Sequence, residues 1–545
     1  MRKIAGLVLA TLATAAAATP PLPVTPLPAP PPRLVIVISV DQLSADLFDE
    51  YRPLLLGGLR RLSRGTTFRN GYQGHAATET CPGHSTILTG ARPARSGIIA
   101  NLWVDQSLGR SDKSVYCAED ERVPGTSSIA YTVSPMHLKV ATLGERMKAS
   151  SPASQNVAVG GKDRSAVMMG GKAVDQRWYW NGKQFATDLR VTPLGSVTRT
   201  NSAVAALIAT AQEPLAPPEI CAAKARVVPL EGGGKPVGDG RFARAAGDAA
   251  AFRSSPAFDG AMLALAAGLI QDLKLGQDAS PDLLSIGLAA TDYVGHAYGT
   301  GGQEMCLQLF SLDRDLGDFL RVLDSSGLDY AVVLTADHGG DDIPERLRLN
   351  GVANAARVDP ALAAAEVGKR IAAKLGVGGP VLIGDFAGDI YLDRALKPAD
   401  RASALREAVA EYSRHPQVQA VFTADQLRRV ASPTSSPDRW SLAERVRASF
   451  DLERSGDLVV VLKPHITPIA DTTRYAATHG SPWDYDRRVP ILFWRAGMTA
   501  SDRSEAVETI DIMPTLSAQL GLAVDSATID GKCLQGIQGI ACPPR

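Results

Sequence analysis

LVIVISVDQ, residues 34–42, is a short apolar run that stops at an aspartate. Its length and its β-branched content fit a strand buried on both faces of a parallel sheet. Three later runs have the same character: LLSIGLA from Leu283, YAVVLTA from Tyr330 and VPILFW from Val489. Amphipathic stretches lie between them, among them SLDRDLGDFLRVL from Ser311 and DRASALREAVAEYS from Asp400. Strands alternating with helices over this length predict an α/β three-layer sandwich, a mostly parallel sheet with helices on both faces.

The residues just past the strand ends carry the chemistry. The first run meets Asp41, the second meets Asp292 with His296 four residues on, and the third meets Asp337 and His338. Open α/β sheets build their sites at the carboxyl ends of strands, so these groups are expected at one edge. A mixed set of Asp and His suits zinc or a similar borderline divalent ion better than calcium, which takes oxygen ligands. Asp337 and His338 could clamp one ion or face two. A third histidine is available in THGSPWDYDRRVPILF, where His479 precedes a strand and adjoins Gly480. His75, His137, His415 and His465 lie in loops or beside prolines, without a carboxylate at useful spacing, and read as structural or solvated. His84 falls in the first turn of the helix expected for PGHSTILTG, where it is read as bracing the turn by hydrogen bonding rather than as a ligand.

The chain has 545 residues, is 45% hydrophobic and carries 57 basic and 57 acidic side chains. This balance argues against nucleic acid as an obligate partner. MRKIAGLVLATLATAAAATP reads as a secretory signal peptide over residues 1–18, followed by a proline-rich linker over 19–33. No cysteine stands at the cleavage site, and no later stretch approaches the ~20 apolar residues of a membrane span. A periplasmic or secreted protein without a membrane span is therefore expected, with a monomer the simplest state. Six cysteines in an oxidising compartment are consistent with up to three disulfides, of which Cys533 with Cys542 is the favoured local pair. Residues 34–545 are read as one catalytic domain with insertions at about 103–255 and 345–455. The first holds a hairpin signal, WYWNGKQF, with its turn at Asn181-Gly182, and the second holds GDIYLD and VQAVFTAD, which suit a small α+β unit.

VISVDQ, TETCPGHSTILTG with GIIAN after it, TDYVGHAYG, TADHGG and THGS, in that order, resemble the alkaline phosphatase superfamily. The likeness is to its threonine-nucleophile branch, which includes the phosphodiesterase/nucleotide pyrophosphatases and the PafA- and PhoK-type bacterial phosphatases. It implies an alkaline-phosphatase-like sandwich with inserted cap regions and two zinc ions. One ion would be held by Asp292, His296 and His479, the other by Asp41, Asp337 and His338 together with the nucleophile. The resemblance makes Thr80 that nucleophile and Asn101, of GIIAN, a donor to the phosphoryl oxygens. The place of Thr80 at a helix start would also present backbone N–H groups to an anion. GGKDRSAV adds Lys162 and Arg164, which in monoesterases of this type bind the extra charged oxygen that a monoester has and a diester lacks.

The resemblance thus implies an exported phosphomonoesterase acting on small phosphate monoesters through a phosphothreonine intermediate. A phosphodiesterase of the same superfamily is the runner-up, with Lys162 and Arg164 against it. A sulfatase is disfavoured because Cys81 precedes Pro82, Gly83 and His84 rather than x-Pro-Ser-Arg. A cofactor-independent phosphoglycerate mutase would use serine and other ligands. A non-catalytic zinc-binding protein would have no use for Thr80.

Overall fold

All seven residues of the strand Leu34–Val40 are buried, and they are divided between two apolar layers. Val35 and Val37 pack with Ile87, Leu88, Ile512 and Met513. Ile36 and Ile38 pack with Met262, Leu269, Leu312 and Leu316 on the opposite side. Period-two alternation in a doubly buried strand produces this division, at about 1.5–3 kcal/mol for each large side chain removed from water. The helices Thr80–Thr89 and Ile512–Gln519 cover one face, and Ala257–Leu273 and Gln303–Ser325 cover the other. The protein is an α/β three-layer sandwich. The computed structural model describes residues 30–543, so the expected signal peptide and the linker up to residue 29 lie outside the described residues.

The central sheet has ten strands. Leu34–Val40 sits between Asp282–Leu288 and Tyr330–Thr335, parallel to both, with Val40 opposite Leu288 and Ser39 opposite Thr335. Asn156–Gly160 and Gln176–Trp180 extend the parallel set. These registers bring the carboxyl ends of the three central strands level with one another. Arg488–Arg495 differs from the parallel strand expected of VPILFW: it runs antiparallel to Tyr330–Thr335, with Leu492 opposite Leu334. Its amino end, not its carboxyl end, therefore faces the edge where the aspartates gather, which is how His479, lying before this strand, reaches them.

The aromatic hairpin forms as its turn chemistry requires. Tyr179 and Trp180 pair with Ala186 and Phe185, Gly182 has φ +96°, and Asn181 Oδ1 accepts the N–H groups of Lys183 and Gln184. A second, antiparallel sheet of four strands contains Gly388–Leu392 and Val418–Thr423 and packs on the helices Ala364–Leu375 and Pro398–Arg414. Among the described residues no helix is long and apolar enough to cross a membrane.

Three disulfides link Cys81 to Cys117, Cys221 to Cys306 and Cys533 to Cys542. The favoured local pair is present, and the other two join distant segments that spacing alone left open. Closing the loop of sequence separation 85 between Cys221 and Cys306 restricts the unfolded chain more than closing the separation of 9 at the carboxyl end. Chain entropy puts the two effects at about 4–5 and about 2–3 kcal/mol. Replacing Cys221 and Cys306 by alanine should therefore lower the melting temperature more than replacing Cys533 and Cys542. The reverse order in differential scanning calorimetry would refute the entropic ranking.

Candidate functional site

The three aspartates arrive from adjacent strand ends. Asp41 N–H donates to the Leu288 carbonyl at 3.0 Å, which continues the ladder one residue past the strand. Asp292 lies in the first turn of the helix Ala290–Tyr298, whose start is capped by Asp259: its Oδ1 accepts the N–H groups of Ala289 at 3.0 Å and Ala290 at 2.9 Å. Asp292 and His296 then share one helix face, with His296 Nε2 3.4 Å from Asp292 Oδ1. His479 Nε2 is also 3.4 Å from Asp292 Oδ1. His338 Nε2 is 3.4 Å from Asp41 Oδ1 and 3.3 Å from Asp337 Oδ2. The His338 ring stacks on His479 with 3.6 Å between centroids, so the two sets share a wall.

These separations fit a shared metal ion better than hydrogen bonds. Asp41 Oδ1, Asp292 Oδ1 and His338 Nε2 are buried without a hydrogen-bond partner, an arrangement that is costly unless a ligand completes it. Ligands held tetrahedrally at about 2.0–2.1 Å from one ion lie roughly 3.3–3.4 Å from each other. The imidazoles are prepared for ligation from behind. Nδ1 of His296, His338 and His479 lies 2.8 Å from the carbonyl oxygens of Ala477, Gly339 and Thr78 respectively. A carbonyl oxygen only accepts, so each Nδ1 carries the hydrogen, and each Nε2 is the nitrogen turned toward the carboxylates, the one a metal ion would take. Burial holds His338 down to about 3, so its ring is neutral at any working pH.

One ammonium stands among these carboxylates. Lys162 Nζ is 2.7 Å from Asp41 Oδ2 and 2.5 Å from Asp292 Oδ2, which bridges the two sets. Burial acts to discharge it, but Asp292 and Asp41 more than offset this and hold it above the usual lysine value. Burial, and then the charges of Asp292 and Asp337, push the Asp41 carboxyl well above the usual range. Burial acts on Asp292 in the same sense, yet Lys162 and His296 hold its carboxyl well below.

Thr80 is the first residue of its helix and is fully buried. Lys162 Nζ lies 3.3 Å and Arg164 Nη2 3.4 Å from its Oγ1. Lys162 caps the helix Asp163–Gly170 and Arg164 lies in its first turn, so one short turn aims both cations at one hydroxyl. Asn101 is held at three points: its N–H donates to Glu79 Oε2 at 2.7 Å, its carbonyl accepts Cys117 N–H at 3.0 Å, and its Oδ1 accepts Cys81 N–H at 2.8 Å. With Oδ1 occupied, the amide Nδ2 is the end left to donate. The same bond narrows one expectation. Cys81 N–H is taken by Asn101, Pro82 has no N–H, and Gly83 N–H goes to the Glu79 carbonyl. The helix start therefore offers an anion the Thr80 N–H, which has no acceptor among the described residues, with the side-chain cations beside it.

His84 Nδ1 lies 2.9 Å from the Thr80 carbonyl oxygen and 3.0 Å from Asp337 Oδ2, which places it behind both. Because the carbonyl makes that nitrogen a donor, His84 braces the turn. Asp41, His84 and Asp337 nevertheless form one tight group, and Asp292, His338 and His479 another. His338 therefore lies within reach of both groups, since its Nε2 also approaches Asp41 and Asp337, while His296 stands 3.4 Å from Asp292 outside either tight group. Gly83 permits the approach, since a Cβ there would stand 1.9 Å from the Asp337 carbonyl oxygen.

The remaining histidines fit the structural or solvated reading, with partners that the sequence did not show. His137 is buried with Nε2 3.1 Å from Glu121 Oε2. His465 lies 2.9 Å from Asp341 and His415 3.3 Å from Asp359. Their carboxylates are brought by the fold, or sit at spacings that no motif marks. His75 is fully buried, the structural of the two alternatives. Sequence reasoning also missed Gln42, whose N–H donates to Asp337 Oδ1 at 3.2 Å, Glu79, the cap Asp259, and Tyr293, whose ring lies 5.2 Å from Lys162 Nζ. Gln42, Glu79 and Tyr293 carried a signal, as immediate neighbours of Asp41, Thr80 and Asp292, whereas Asp259 carried none.

A sandwich with this edge and a threonine at a helix start defines a class. Residues 35–482 match the type I phosphodiesterase / nucleotide pyrophosphatase family, and the chain belongs to it, among the PhoK- and PafA-type members of the wider superfamily. The chain is 51% identical over 517 residues to alkaline phosphatase PhoK of a Sphingomonas species, a match that spans 94% of this chain and 92% of the relative. It is 46% identical over 518 residues to alkaline phosphatase PhoD of Zymomonas mobilis, at 94% and 89% coverage. The crystal structure of alkaline phosphatase PafA is similar with a TM-score of 0.79 and 25% identity, covering 91% of this chain and 97% of its own.

Divalent cations should stabilise this edge whatever the reaction. Stripping them with a chelator is expected to lower the melting temperature by several degrees, and restoring them to reverse it, because binding to the folded state alone raises its stability. An unchanged melting temperature would mean that Lys162 balances the carboxylates unaided.

Proposed function

We propose that this chain is an exported alkaline phosphatase that hydrolyses small phosphate monoesters through a phosphothreonine intermediate on Thr80, with two zinc ions as cofactors. The observation that carries the reading is the convergence of Lys162 and Arg164 on Thr80 Oγ1, beside buried carboxylate and imidazole atoms that lack partners. Asp292, His296 and His479 would hold one ion, and Asp41, Asp337 and His338, with Thr80, the other. When bound, such ions supply positive charge that lowers the pKa of a hydroxyl or water and offsets charge on a leaving oxygen.

The chain's own residues do the rest. Thr80 Oγ1, giving up its proton, attacks phosphorus in line with the ester oxygen; the P–O ester bond breaks, and the alkoxide departs with its bonding pair and takes up a proton to become the alcohol. Water then attacks phosphothreonine, the P–Oγ1 bond breaks, and inorganic phosphate and the threonine hydroxyl are regenerated. Charge on the nonbridging oxygens persists through both displacements, and Asn101 Nδ2, Lys162 and Arg164 would donate to it. A monoester carries one more anionic oxygen than a diester, and two adjacent cations match that extra charge. The diesterase reading is supported by the family description, but a diester leaves one of the two cations without an anionic partner. Export is supported by three disulfides, which persist in oxidising compartments.

Replacing Lys162 and Arg164 together by alanine should lower kcat/KM for an aryl phosphate monoester by about 10²-fold or more, given the strength of charge-assisted hydrogen bonds. The loss for a diester with the same leaving group should be much smaller. Equal losses on both esters would sink the monoesterase assignment. Acid quenching during turnover should trap a phosphoryl group on the peptide containing Thr80, and Thr80→Ala should abolish that label. A label elsewhere would exclude Thr80 as nucleophile.

A further inference from the structure

Asp163 stands between the two cations in sequence, and its carboxylate is a hazard to them. A buried carboxylate one residue from Arg164 is the natural partner of that guanidinium, and an ion pair between them would draw Arg164 away from Thr80. The structure shows a different arrangement. Asp163 Oδ1 accepts the Tyr116 hydroxyl at 2.7 Å, and Oδ2 accepts the Tyr131 hydroxyl at 2.7 Å. Oδ1 also accepts the N–H of Arg164 at 2.8 Å, the backbone rather than the guanidinium. The two tyrosine rings pack with centroids 4.4 Å apart, and Asp163 and Tyr116 are both buried. The guanidinium is not paired with Asp163: its Nη2 reaches Thr80 Oγ1, the Tyr116 side chain neighbours it, and its Nε is buried without a partner.

The tyrosines belong to the same frame as the nucleophile. Tyr116 ends the strand Ser114–Tyr116 and precedes Cys117, which is bonded to Cys81 beside Thr80. Cys117 N–H and Cys81 N–H both donate to Asn101, one to its carbonyl and one to its side chain. One covalent and hydrogen-bonded frame therefore spans Thr80, Asn101 and the turn that carries Lys162 and Arg164. Fixing both oxygens of Asp163 fixes the rotation of that turn, and with it the direction of both cations.

We propose that Tyr116 and Tyr131 are positioning residues for monoester selectivity: by occupying both oxygens of Asp163 they keep the Arg164 guanidinium free for the phosphoryl group. The inference rests on the monoesterase reading, and names what maintains it. Two neutral donors suit the task because a lysine or arginine in their place would add a competing charge beside the phosphoryl site, whereas apolar residues would leave the carboxylate to capture Arg164.

The test compares Tyr116→Phe, Tyr131→Phe, the double variant, and the double variant carrying Asp163→Asn, each as the full-length metal-loaded protein. Aryl phosphate monoester and diester substrates with one leaving group are the probes. The double variant should lose roughly tenfold or more in monoester kcat/KM, the scale of hydrogen bonds to a charged group, with the diester rate nearly unchanged. Asp163→Asn in that background should recover most of the loss, because the competing charge is gone. A merely structural role of the tyrosines predicts no such rescue. Equal losses on both esters, or no rescue in protein with native circular dichroism and metal content, would overturn the proposal. Should the double variant fail to fold, the two single variants, each lacking only one hydroxyl, carry the same comparison. The Lys162→Ala, Arg164→Ala protein separates the two levels. If it loses both activities alike, the monoesterase reading fails and this inference with it. If it is selective while the tyrosine variants are not, only this inference fails.

Discussion

Three buried carboxylates meeting at one sheet edge, with a single ammonium in direct contact with two of them, is the constraint on which the rest of the site depends. Asp41, Asp292 and Asp337 are each almost wholly excluded from solvent, and like charges so placed repel by several kcal/mol even at a generous effective dielectric. Lys162 lies between Asp41 and Asp292 and offsets part of this. The remainder is what makes the edge a place for cations. The imidazoles around it are turned by their Nδ1 hydrogen bonds so that each Nε2 faces the carboxylates. Donor atoms gathered in this way have little to recommend them in a merely structural core.

The fold delivers these groups by register. Parallel strands end together, so Asp41 and Asp337 need only stand just past their strands, and Asp292 needs only the short helix that Asp259 caps. His479 comes from the opposite direction because Arg488–Arg495 runs antiparallel, so a residue before that strand reaches the same edge as residues after the others. The turn that carries Thr80 is fastened separately. The Cys81–Cys117 bond, Asn101 and Glu79 tie it to the segment that follows the strand Ser114–Tyr116, and Gly83 lets it settle against the Asp337 backbone. Rigidity of this kind suits a displacement in which placing charge is most of the catalysis.

Much of the site was legible because its chemistry is local to strand ends and short motifs. A carboxylate after an apolar run, a histidine four residues on, and a lysine and arginine in alternate positions are readable patterns, and all those residues share one edge. The partners behind them were not readable. Tyr116 and Tyr131 are 47 and 32 residues from the carboxylate they hold, and Asp259 caps a helix 31 residues away. His465 finds Asp341 across 124 residues. Hydrogen bonds of this sort need only one atom in the right place, and such an atom leaves no periodicity in the chain.

The sequence by itself determined the strands, the alternation with helices, the turn at Asn181-Gly182 and the identity of the groups at the edge. These come from side-chain burial and backbone preference, which act over a few residues at a time. Only the tertiary structure decided the antiparallel course of Arg488–Arg495, the long-range disulfide pairs, how the histidines divide among the carboxylates, and which atom of Asn101 is free. Each of these is a relation between segments distant in the chain. Its energy comes from contacts that exist only after the layers have packed, and no local preference can encode it.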